Sequence, residues 1–149
     1  MWDEIIAEVK SIIDANDKKQ EAYDYEVSGF EGYPAVTITP SGNDSDYSST
    51  TENEIVYAVL IRCFVPRGGQ DNENSAEKTM RELVDSIMRD FAKDGNNRLT
   101  NITTPTGYTM LFVEAIPSNW GYMGNREEEL RVAEITLRVH VHVDVTAIS

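Results

Sequence analysis

From Ala133 to Val145 the chain alternates without a break. Ala133, Ile135, Leu137, Val139, Val141, Val143 and Val145 occupy the odd positions; Glu134, Thr136, Arg138, His140, His142 and Asp144 occupy the even ones. Successive side chains of a strand point to opposite faces, whereas a helix would scatter these apolar groups around its circumference. The segment is therefore a long strand, with one face in a core and a polar face opposite. The same period accounts for the most suggestive chemistry in the chain. His140, His142 and Asp144 share a face because every even residue does. A strand rises about 3.3 Å per residue, so side chains at i and i+4 lie roughly 13 Å apart, and one metal ion cannot take both His140 and Asp144. No metal site, catalytic residue or cofactor is assigned.

A second strand, Glu54 to Val65, carries Ile55, Tyr57, Val59, Ile61, Cys63 and Val65 on one face and Val56, Ala58, Leu60 and Phe64 among Glu54 and Arg62 on the other. A strand apolar on both faces is central, or covered on its second side. Two helices accompany these strands. Trp2, Ile5, Ile6, Val9, Ile12 and Ile13 form one helical stripe that ends near Asn16, with Asp3 and Glu4 in the first turn, where the dipole favours them. Ala76, Met80, Leu83, Val84, Ile87, Met88 and Phe91 form the other. Asn74 and Glu77 have capping-box spacing at its start, Gly95 stops it, and its methionines read as core fillers. Tyr23 to Val27 and Pro34 to Thr39 read as an antiparallel hairpin turned at Gly29 to Gly32. Tyr108 to Ile116 reads as the partner of the last strand. Pro40 to Asn53 is polar, with no apolar period, and reads as a long loop. Gly68-Gly69 reads as a turn, since no phosphate-binding spacing surrounds it.

These elements give an α+β two-layer domain spanning residues 1–149: a mixed or antiparallel sheet, two helices on one face, and extended loops. The uncovered face would carry Arg62 and Phe64 on one strand and Arg138 and His140 on another. A half-apolar open face suggests burial by another subunit. Trp120, in an aromatic and Gly-rich connector, suits either an interface or a cover over its own core.

The 26 acidic against 13 basic side chains give a formal net charge of −13, which opposes non-specific attraction to nucleic acid or anionic membrane. The one cysteine, Cys63, allows no intrachain disulfide and reads as a buried, inert thiol. Acids stand at the N-terminus where a signal peptide carries bases, and no apolar run reaches the roughly 20 residues of a membrane span, so a cytoplasmic product is expected. No nucleophile elbow, zinc-protease motif or Cys–His pairing is visible, and the Glu127 to Glu129 run reads as solvated.

The order of a short amphipathic helix, the segment Phe30 to Asp44, the strand Glu54 to Pro66, the helix Ser75 to Phe91 and a terminal strand ending at Thr146 resembles the tail-terminator and tail-completion proteins of tailed bacteriophages. The likeness covers nearly the whole chain. Gly32 to Val36 and the helix around Asp85 carry it best; Gly95-Asn96-Asn97 stands where the family has a glycine pair. The resemblance implies a non-enzymatic virion protein of the tail or neck, a homohexameric ring made in the host cytoplasm. Such a ring caps the tail tube protein, ends tube growth and meets a head–tail connector or head-completion protein, while genomic DNA passes through without specific binding. On that reading Ser41 to Glu52, with Asp44, Asp46 and Tyr47, and Pro66 to Glu73, with Arg67, are docking segments. Rival readings are another neck component, a metal-dependent enzyme using His140 and His142, and an acidic mimic of DNA.

Overall fold

The computed structural model describes residues 1–47, 49–67, 73–124 and 129–148, with the side chains of residues 44, 46, 47, 73 and 74 outside that description. Two helices, α1 (Trp2–Asp14) and α2 (Glu73–Ala92), pack against one mixed sheet of β1 (Glu21–Tyr23), β2 (Ala35–Tyr47), β3 (Glu52–Pro66), β4 (Tyr108–Gly124) and β5 (Glu129–Asp144). The strands lie side by side in the order β1-β2-β3-β5-β4. This is the expected α+β arrangement, and no described helix is long and apolar enough to cross a membrane.

One core lies between helices and sheet. Ile5, Val9, Ile12 and Ile13 from α1 and Met80, Leu83, Val84, Ile87 and Phe91 from α2 meet the odd positions of β3 and β5. Burial on β5 alternates as the sequence period requires, with Ala133, Ile135, Leu137, Val139 and Val141 fully buried. Met80 and Met88 fill core space, as their helical spacing indicates. Asn16, just past the end of α1, is buried; its Nδ2 donates to Ser86 Oγ at 2.9 Å and to Asp90 Oδ2 at 2.7 Å, tying the helices together.

Five local expectations are corrected. Residues 21–23 and 35–37 pair in parallel, not as a hairpin. The intervening segment is not a tight turn: Phe30 is drawn onto Phe64, at 4.7 Å between ring centroids, so residues 24–34 cross the sheet before re-entering beside β1. The polar stretch after Pro40 is not a loop but strand. It pairs with β3 as far as Tyr47, with one register shift between Pro40 and Gly42, because a ladder needs only backbone groups and β3 supplies the template. Ser49 Oγ then accepts from the amides of Thr51 and Glu52 to close the hairpin. β4 runs on through Trp120 to Gly124, absorbing its proline in a second irregularity between Pro117 and Trp120. Finally, α2 begins at Glu73, which puts Asn74 inside the first turn and not at the cap, and Glu77 binds Arg131 instead, at 2.7 Å. The helix stops at Ala92, before Gly95, whose φ of +87° favours glycine. Gly68-Gly69 and Glu127-Glu128 lie outside the described residues.

Candidate interaction surface

Even-numbered residues of β3 and β5, with Phe112, Glu114 and Ile116 of β4, form the face that no helix covers. Its two ends differ. At one end Phe64 is 2% exposed, packed with Ala35 and Val132 beneath Phe30, and Tyr23 and Tyr33 flank Phe30. Arg62 fastens this lid, its Nη1 at 3.1 Å from Glu26 Oε1 and its Nε at 3.8 Å from Glu134 Oε2. Phe64, expected on an interaction surface, is therefore covered by its own chain. A parallel connection needs a longer path than a hairpin, and the apolar end of this face is where that path settles.

At the other end His140 stands between two carboxylates. Its Nδ1 lies 2.7 Å from Glu54 Oε1 on β3 and its Nε2 2.6 Å from Glu114 Oε1 on β4. Both ring nitrogens are thus engaged by carboxyl groups from the two neighbouring strands. Phe112 stacks on the ring, 4.1 Å between centroids and 16° from parallel. His142 leans toward a different acid, Glu52, at 4.0 Å. Asp144 turns away to accept from the amide and hydroxyl of Thr146, and the Thr146 hydroxyl is the main cause holding its carboxyl below the ordinary value. Three residues that alternate in sequence thus have three separate sets of partners, and no group of three potential ligands gathers among the described residues.

Between the two ends Ala58, Leu60, Thr136 and Arg138 are half-buried. Arg67 is not on this face's centre: it ties the strand ends, with Nη1 2.9 Å from Glu129 Oε1 and its guanidinium 4.7 Å above the Tyr122 ring. Trp120 lies on the edge strand, 39% exposed, with the Arg131 guanidinium 5.4 Å away. Asp44, Asp46 and Tyr47 belong to β2, paired with Val56, Glu54 and Asn53.

Sequence reasoning missed the exposed apolar side chains of β4: Leu111, Phe112, Ile116, Tyr122 and Met123. A signal was present. Tyr108 to Gly124 holds one charged residue, Glu114, where a solvent-exposed edge ordinarily carries several. Chemically the surface offers little. Both His140 nitrogens are engaged, and burial pushes the Cys63 thiol up to about 12, so it is no nucleophile.

No family model matches the sequence, and no curated protein does. Among solved structures the fold is similar to a chain of the virion of a native gene transfer agent particle: TM-score 0.52 and 13% identity, over 93% of this chain and 94% of that one. At that identity the likeness is one of fold.

Proposed function

We propose that this chain is a structural protein of a phage-like virion that caps the finished tail tube, ends its polymerisation and forms the tail side of the head–tail junction. It acts as a ring, a hexamer if it follows the family it resembles, and performs no chemistry. The observation that carries the reading is the full-length fold likeness to a virion chain. A sheet face with Phe112 and Ile116 exposed supports it, because apolar side chains grouped on an open face mark a contact surface. Rings require a heterologous contact, one patch of each copy meeting a different patch of the next. The acidic balance suits a conduit that must not hold DNA.

Electron microscopy of particles assembled without this protein tests the role. Tails should overrun their normal length. Tails of normal length detached from heads would move the assignment to a head-completion or connector protein of the same neck.

A further inference from the structure

Among the described residues the sheet has two edges without a pairing strand, and they match in length and row. Beyond the short stretch that pairs with β1, the outer side of β2 from Thr39 to Tyr47 has no neighbour among the described residues. No described strand pairs with the outer side of β4 either, and only its first residue is engaged from within the chain, the Tyr108 amide donating to the Pro105 carbonyl at 3.1 Å. The proline-free half of β4 is Tyr108 to Ile116, equal in length to the free part of β2. The two segments occupy the same rows of the sheet. Tyr47 pairs with Asn53, Asn53 with Val143, and Val143 with Tyr108; Thr39 pairs with Leu60, Leu60 with Thr136, and Thr136 with Ile116.

Their directions match as well. Each step from β2 through β3 and β5 to β4 is antiparallel. Three reversals leave the two edges running in opposite senses. A second copy in the same orientation therefore lays its β2 beside β4 as an antiparallel partner, with no displacement along the strands. A repeated heterologous contact closes into a ring where its rotation carries no net step along the ring axis; with such a step it would produce a filament. Long free edges are ordinarily guarded by Lys, Pro or inward charges. Tyr108 to Ile116 has neither lysine nor proline, and its one charge, Glu114, is bound to His140, so the guarding residues, Pro40, Asp44 and Asp46, all stand on the β2 edge.

We infer that the β4 edge from Tyr108 to Ile116 is the seat for the β2 edge, Thr39 to Tyr47, of a neighbouring copy, so that rings of this protein close by strand pairing. The inference rests on the ring reading above and names its contact.

Asp46 and Thr109 lie in one row. Within a chain they are three strand spacings apart, about 14 Å, beyond the reach of a disulfide. Between copies they become direct neighbours. The double variant Asp46→Cys with Thr109→Cys, mildly oxidised at ring-forming concentration, should give a ladder of linked species ending in one closed product on non-reducing denaturing gels. Each single variant should give no species beyond a dimer. Cys63 is buried and stays silent. Leu111→Lys, at an exposed position on the edge, should shift the solution mass from ring to monomer while the circular dichroism spectrum is retained; this variant decides the matter if the double variant does not fold. Rings that survive Leu111→Lys and yield no ladder would overturn the edge contact and leave the virion role standing. Subunits that never form rings, alone or on purified tail tubes, would overturn both.

Discussion

On β5 the odd positions from Ala133 to Val143 are closed to solvent, while the even positions of the same strand are half open. β3 behaves alike: Val59, Ile61 and Cys63 are fully buried, Ala58, Leu60 and Arg62 only partly. The covered face is held by volume, with two helices filling the space above it. The other is held by pairings, Arg62 to Glu26 and Glu134, and His140 to Glu54 and Glu114. That face is itself divided, since the chain seals the Phe64 end and leaves Phe112 and Ile116 bare. Eleven residues, 24–34, cover one end, and no described segment lies over Phe112 and Ile116 at the other.

The largest effects should come from the covered face. Leu137→Ala should lower stability by roughly 3–5 kcal/mol in urea denaturation, since α1 and α2 cannot both close on the space left. Its neighbour Thr136→Ala, on the open face, should change stability by less than about 0.5 kcal/mol. Comparable losses at both positions would mean that the second face is also packed. Phe64→Ala should cost roughly 3 kcal/mol, because it removes the floor on which Phe30 rests. A loss below about 1 kcal/mol would show that the 24–34 segment does not seal this end.

How much of this was legible beforehand differs by element. Where one side of a segment faces a core, periodicity is enough: Ala133 to Val145 and the α2 stripe needed nothing else. β2 beyond Pro40 was illegible because its ladder is made of backbone groups, which leave no side-chain pattern when neither face is packed. The parallel β1–β2 pair was missed because the reason for it, Phe30 meeting Phe64, joins residues distant in sequence. Arg62, Phe64, Arg138 and His140 were correctly placed on one face. Which of them the chain itself would cover depends on three-dimensional neighbours that the sequence does not rank. Asn16 looked like a weak helix end and is instead a buried link to Ser86 and Asp90.

Intermediate effects test how the covered face is secured at its margins. Asn16→Ala removes a donor from Asp90 and from Ser86, and should cost about 1–3 kcal/mol, with Asn16→Asp worse because it sets a second carboxylate beside Asp90. A double-mutant cycle with Ser86→Ala measures the coupling. Cys63 reports the same layer through pH. Burial disfavours the thiolate and raises its pKa from 9.0 to about 12. A pKa raised on folding means the unfolded chain releases its proton first. The thiol's contribution is therefore constant below pH 9 and declines by about 1.4 kcal/mol per unit as pH rises from there towards 12. Cys63→Ala should flatten that part of the curve, and in the native protein the thiol should resist iodoacetamide at pH 8 until urea exposes it. Rapid labelling without denaturant would show that the layer above Cys63 opens.

The smallest effect belongs to Phe112, and it gives the sharpest contrast because residue type and sheet face are the same as for Phe64. Phe112 is 45% exposed and stacks on the His140 ring. His140 keeps both carboxylates without it, since the contacts to Glu54 and Glu114 come from strands held by the ladder. Phe112→Ala should therefore lower monomer stability by less than about 1 kcal/mol. The measurement is a urea curve at protein concentrations low enough to keep the chain monomeric, set beside that of Phe64→Ala. A cost for Phe112→Ala near that of Phe64→Ala would mean that this end of the sheet already completes its packing within one chain. The exposed aromatic would then need no neighbour, and the division of the open face into a sealed end and a bare one would fall with it.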